Sequence, residues 1–244
     1  MDLPKVNAHL HTPFSFSAFR DIDDALDRAV AEKVKVVGIN DFYTAEGYEE
    51  WADGCRKRGL FPLFGIEFIS LNEEDQKAGL RVNDPGNPGR TYISGKGLLQ
   101  PFKLDEPYAS ELTNVRNEAN KQVEAMCEKL NGILTGKNAS FILDIDWIKE
   151  NLTKGSVRER HLAKALRLKV YENCDDNPTC IKNLLREIFG GKELKSDTDN
   201  LAGVENEIRA NLLKSGGLAF VPETAEAFLP MQTVCKIILE AGGI

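Results

Sequence analysis

Residues 5–70 alternate extended and helical patterns in a fixed order, and that order limits the fold more than any other feature of the chain. KVNAHLH (5–11) is extended and apolar with polar alternation. DIDDALDRAVAEK (21–33) sets Ile22, Leu26, Ala29 and Val30 at helical spacing, with acids in the first turn, where they suit the helix dipole. VKVVGIN (34–40) is β-branched and reads as a buried strand. AEGYEEWADGCRKR (45–58) predicts a helix stopped by Gly59, and LFPLFGIEFIS (60–70) a third strand. A β-α-β-α-β run with connections this short implies parallel strands and an α/β fold.

The rest of the chain divides by composition. Residues 72–108 hold four prolines and five glycines and read as an insertion loop between the first segment, 1–71, and a mainly helical section, 109–218. In the latter, Leu112, Val115, Ala119, Met126 and Leu130 fit one helix face that Gly132 can close. Ser156 and Glu159 spell a capping box for a helix over 156–171, and 178–189 and 204–214 suggest two more. Residues 219–244 return to the first segment's pattern, with a last helix from Pro230 to Gly242.

Composition excludes more than it assigns. No apolar run approaches the ~18 residues of a membrane span, and the chain enters its first strand directly after MDLPK, which predicts a cytoplasmic protein with no membrane partner. The net charge of −7 argues against binding double-stranded nucleic acid, which needs a basic stripe, but leaves anionic small molecules open if a metal supplies local positive charge. Five cysteines without a C-x-x-C pair predict reduced thiols, although Cys174 and Cys180 are spaced to pair across a short loop.

Chemistry concentrates at the strand ends. Residues i and i+2 of a strand share a face, so His9 and His11 project together, and imidazole is the commonest metal ligand near neutral pH. The second strand ends in Asn40-Asp41 and the third in Gly65-Ile66-Glu67. Parallel α/β folds place their active sites at these C-terminal strand ends, so three successive strands deliver metal-type ligands to one rim. His161, on an inward-facing stripe of its helix beside Arg158 and Arg160, reads either as a hydrogen-bonded core histidine or, with Arg160, as a holder of a phosphate oxygen. GRTYISGKG (89–97) fails the spacing of a phosphate loop and reads as a flexible loop, whose Arg90 and Lys96 reach an anionic substrate if it covers the site. The N-x-S/T triplets at Asn138 and Asn151 carry no weight without a secretion signal.

In order, HLHTPFSFS, Asn40-Asp41-Phe42 and Gly65-Ile66-Glu67 resemble the first three motifs of the polymerase and histidinol phosphatase (PHP) family. RHLAKAL (160–166), AFVPE (219–223) and ILEAGGI (238–244) are similar to its later segments. The resemblance implies an α/β fold, a distorted (β/α)7 TIM-like barrel with a helical middle section. Because the family's next strand and its later ligands would follow AGGI, it also implies a fragment whose barrel continues past Ile244. The implied activity is hydrolysis of a small phosphorylated substrate by a metal-activated water. His9, His11, Asp41 and Glu67 are then ligands of zinc, manganese or iron, Asp41 and Glu67 the catalytic carboxylates, and Arg160 and His161 the substrate-binding pair. Phe42 departs from the family, standing where its second motif has a histidine. That leaves two alternatives: an impaired barrel that binds a ligand or partner, and an amidohydrolase-like enzyme acting on a C–N bond. An open barrel would expose strand edges and favour homo-oligomers.

Overall fold

The computed structural model describes residues 3–244. The chain folds as two compact units, one formed by the residues up to Glu118 with Thr224–Ile244, the other by Ala119–Glu223.

The first unit holds β1 (Lys5–Leu10), α1 (Ile22–Ala31), β2 (Val34–Phe42), α2 (Tyr48–Arg58), β3 (Phe61–Leu71), α3 (Glu73–Lys77) and β4 (Arg90–Lys96), in that order. Local chemistry sets the boundaries. The Asp21 carboxylate accepts the Asp24 N–H at 2.7 Å and opens α1. Gly59, at φ +64°, closes α2 in the left-handed conformation that glycine adopts without a Cβ penalty. β1, β2 and β3 are parallel neighbours, as the short crossovers require. Their helix-facing residues, Val37, Ile39, Ile66 and Phe68, close a core with Ile22 and Leu26 of α1 and Trp51 and Cys55 of α2. Each large aliphatic or aromatic side chain removed from water there contributes about 1.5–3 kcal/mol.

The segment read as an insertion loop contains the fourth strand. β4 runs antiparallel to β3, from Gly65 opposite Lys96 to Leu71 opposite Arg90. Thr91, Tyr92 and Ile93 are good strand formers, but the surrounding prolines and glycines mask a run this short. The sheet order is β1-β2-β3-β4, with the two-residue β5 (Leu229–Pro230) pairing β3 beyond the end of β2. Among the described residues this is a five-stranded, open sheet rather than a seven-stranded barrel. It curls enough for Lys96 Nζ on β4 to reach the Ala8 carbonyl on β1 at 2.7 Å. After β5, α9 (Met231–Glu240) packs on the core through Val234 and Ile237, and Ile244 exchanges backbone hydrogen bonds with Lys96 at 2.9 and 3.3 Å.

The long helix α4 (Tyr108–Gly136) passes straight through Gly132, the residue expected to stop it. Its second half enters the other unit, with α5 (Ile145–Leu152), α6 (Glu159–Asn173), α7 (Pro178–Ile188) and α8 (Leu201–Ile208), the last running into a π turn at Arg209–Leu213. Leu130, Leu134, Leu162, Leu166, Leu185, Ile188 and Ile208 form that unit's own core. The expectation of reduced thiols fails at one place: Cys174, which caps α6, is disulfide-bonded to Cys180 in the first turn of α7. Cys55, Cys127 and Cys235 are free thiols. Among the described residues no helix is long and apolar enough to cross a membrane.

Candidate metal centre

β1 ends at Leu10, so His9 is its last outward residue on one face and His11 the first residue of the following loop. That loop is held from below by Asp41. One Asp41 oxygen accepts the Thr12 N–H at 2.7 Å and the Ser15 hydroxyl at 2.6 Å; the other accepts the Thr12 hydroxyl at 2.5 Å. Thr12, Ser15 and Asp41 are all fully buried. Burial pushes the Asp41 pKa up, against the pull of Ser15, Thr12 and the nearby His11.

The H-x-H imidazoles meet a carboxylate from β3. Glu67 Oε2 lies 3.1 Å from His9 Nε2 and 3.1 Å from His11 Nε2. Three ligand atoms of these residues fall within 4.8 Å of one another, the one such grouping of three among the described residues. His11 joins a cluster with two aromatic rings, Phe16 at 4.6 Å and Phe42 at 5.1 Å between centroids, both nearly parallel to it and 5.7 Å from each other. Its Nδ1 is buried without a hydrogen-bond partner, so the contacts that orient the ring are this stacking and the Glu67 oxygen beside Nε2. The ring at position 42, where the family pattern has a histidine, thus stacks against His11.

Asp41 is not in the cluster. On β2 the core-facing residues are Val37 and Ile39, and strand alternation puts Asp41 on that same side. Asn40 and Phe42 take the other side. The Asn40 amide nitrogen is 3.2 Å from His9 Nε2 and donates to Ser94 Oγ at 3.1 Å; its oxygen accepts from Lys96 Nζ at 2.6 Å. Asn40, Ser94 and Lys96 are therefore neighbours of the site that the motif reading did not assign. The signal for Asn40 was present: the two-residue period that pairs His9 with His11 also excludes Asp41 once Val37 and Ile39 are placed in the core. The loop reading of 89–97 gives Lys96 only a conditional reach to an anionic substrate, and nothing local marks Ser94, because the prolines and glycines around β4 mask the strand. Burial pulls the Lys96 pKa down, against Glu67, which raises it.

Arg160 and His161 belong to the helical unit. His161 Nδ1 accepts the Arg158 backbone N–H at 3.0 Å and so caps α6, the position expected for Ser156 and Glu159. Glu159 instead pairs with Arg209 at 2.6 Å. Partial burial and Arg209 lower the Arg160 pKa, against Glu159 and Glu205. Burial lowers the His161 pKa to about 4 from the ordinary 6.5, with Glu159 opposing. The folded state therefore binds fewer protons than the unfolded chain between these values. Its stability is complete above pH 6.5, falls as the pH drops toward 4, and levels off below. The loss amounts to about 3 kcal/mol. Urea unfolding of the wild type should show this slope, and His161→Gln should flatten it; an identical slope in the variant would place the proton uptake elsewhere.

The donor set fits a metal ion. Two imidazole nitrogens, His9 Nε2 and His11 Nε2, each lie 3.1 Å from the same Glu67 oxygen, so three donor atoms, from the end of β1 and from β3, converge on one point. Two imidazole nitrogens and a carboxylate suit zinc, manganese or iron, and three protein donors leave the open coordination that catalytic sites use.

Comparison with known proteins agrees with this arrangement. Residues 7–154 match the model of the PHP domain. The chain is 28% identical over 185 residues to the PolC-type DNA polymerase III of Ureaplasma parvum, covering 71% of this chain and 12% of the polymerase. In structure it is similar to a protein of Bifidobacterium adolescentis described as a metal-dependent phosphoesterase, with a TM-score of 0.61 and 16% identity, over 100% of this chain and 66% of that one. It is also similar to an amidohydrolase from Chromobacterium violaceum, which holds sulfate and no metal, with a TM-score of 0.55 and 16% identity, over 98% of this chain and 65% of that one. The chain thus spans an eighth of the polymerase's length and just under two thirds of each of these structures. With the family model covering more than half of its residues, and His9, His11 and Glu67 gathered at one point, the chain belongs to the PHP domain family.

Proposed function

We propose that this chain is a metal-dependent phosphoesterase acting on a small phosphorylated substrate. The observation that carries the reading is the convergence of His9 Nε2, His11 Nε2 and Glu67 Oε2 on one point. A divalent ion held there supplies Lewis acidity and acidifies a bound water. The chain's own residues do the rest. Phe16 and Phe42 fix the His11 ring, and Asp41 fixes the loop that presents it. Glu67, the least exposed of the three, anchors the site to β3; His9, the most exposed, faces the side from which substrate enters.

The test compares p-nitrophenyl phosphate, its bis-ester and p-nitroacetanilide, with protein reconstituted in turn with zinc, manganese and ferrous iron. Phosphate-ester hydrolysis that needs the metal and falls to background in Glu67→Gln is expected. Cleavage of the anilide alone would move the reading to C–N hydrolysis. Stoichiometric metal with no turnover of any substrate would favour a binding domain.

A further inference from the structure

A row of aromatic rings leads away from the metal centre along one face of the sheet. Ser94 stands opposite Glu67, and its hydroxyl meets the Asn40 amide beside His9. Tyr92 lies two residues before Ser94 on β4, so strand alternation puts both on that face. The Tyr92 ring meets Phe42 at 6.2 Å between centroids and 69° between planes. Phe42 is in turn 5.1 Å from His11 and 5.7 Å from Phe16. Phe42 is 7% exposed and Tyr92 38%, so Tyr92 presents the surface of the row and Phe42 supports it from behind. Asn83 fixes the place of Tyr92. Its amide oxygen accepts the Tyr92 N–H at 2.8 Å, and its nitrogen donates to the Tyr92 carbonyl at 2.9 Å.

We infer that Tyr92 selects phosphate esters whose leaving group is a flat aromatic ring joined directly to the ester oxygen. The inference rests on the phosphoesterase reading, because it takes the phosphorus to sit beside His9, His11 and Glu67. Residues two apart on an antiparallel strand are separated by about 7 Å. Aromatic pairs prefer ring centroids about 4.5–7 Å apart. A ring one oxygen away from that phosphorus therefore reaches from the Ser94 position toward Tyr92 and pairs with it. A short alkyl group on the same oxygen ends before it reaches the tyrosine and forgoes the pairing. Ring pairing of this kind adds a factor of about 2–12 in affinity.

Calorimetric titration of the zinc-reconstituted protein with phenylphosphonate and with methylphosphonate tests this, at a pH where both are dianions. Neither is hydrolysed, so the readout is binding. Turnover is the poorer measure, since aryl oxides leave more readily than alkoxides on any enzyme. Wild type is expected to bind phenylphosphonate about tenfold more tightly than methylphosphonate. Tyr92→Phe should keep that ratio. Tyr92→Thr, which retains a good strand former, should bring the ratio within about twofold of unity and leave methylphosphonate affinity unchanged. A structural role of Tyr92 alone would instead weaken both phosphonates together. Nuclear Overhauser contacts between the phenyl protons of bound phenylphosphonate and the Tyr92 ring are expected in wild type, and they need no variant to fold. An unchanged ratio in Tyr92→Thr would overturn the proposal. So would a lost ratio in Tyr92→Phe, which would assign the effect to the hydroxyl, or Overhauser contacts to Phe16 and none to Tyr92. Equal affinity of wild type for the two phosphonates would remove the proposal alone. Binding of neither would remove the phosphoesterase reading and the proposal with it.

Discussion

Wild-type protein, reconstituted with zinc, manganese or iron and then desalted, should retain about one divalent ion per chain, the number that three converging protein donors hold, and His9→Ala/His11→Ala should retain none. The expectation follows from the geometry of Glu67. Its Oε2 has both imidazoles at 3.1 Å, and it lies largely out of water, in the first unit's sheet. Removing both rings leaves one carboxylate, which is a poor site for a transition metal in water. Metal analysis by mass spectrometry reads the result directly. Equal metal in wild type and double variant would place the ion elsewhere, and none in either would turn attention to a non-catalytic role. The fold should survive the substitutions, because His9 is the most solvent-exposed of the three and His11, which stacks on Phe16 and Phe42, is one ring at the edge of that packing.

Asp41→Ala should be the most destabilising of the site variants. The carboxylate accepts three hydrogen bonds from Thr12 and Ser15, all of them buried. Truncation leaves an N–H and two hydroxyls without acceptors, and each such group costs about 1–3 kcal/mol. The terms are not additive, so about 3 kcal/mol in total is expected. For a chain of this size that lowers the melting temperature by roughly 6–12 °C. Calorimetry should assign the fall to the transition of the first unit, since the two units have separate cores. Metal should bind more weakly than in wild type but not vanish, because the three donors remain. An unchanged melting temperature with complete loss of metal would instead make Asp41 a ligand, as the motif alone suggests.

The contrast between His11 and Asp41 shows how far a motif can be read. Both residues stand where the family pattern puts chemistry, at the ends of successive strands. For His9 and His11 the spacing within one strand was enough, because the i, i+2 relation is local. For Asp41 the deciding fact was which face of β2 meets the helices, and that depends on Ile22, Leu26 and Trp51, which lie in other elements. His161 makes the same point from the other side. Its helical stripe was visible, but that its ring caps α6 depends on where that helix starts, with its N-cap at Arg158 and not at Ser156. The disulfide between Cys174 and Cys180 was open on spacing alone and is settled by the turn that brings α6 and α7 together.

By itself the amino-acid sequence determined the parallel β1-β2-β3 core, the helices that cover it, and the strand ends at which His9, His11 and Glu67 appear. These follow from periodicity, capping and glycine stops, all of which act within a few residues. Only the tertiary structure decided that β4 runs back along β3, that the sheet curls until Lys96 reaches Ala8, and that Asn40 rather than Asp41 faces His9. Those are contacts between residues up to 88 positions apart. They are fixed by sheet pairing, curl and the space left by Gly38 and Gly65, and no short window of sequence contains them.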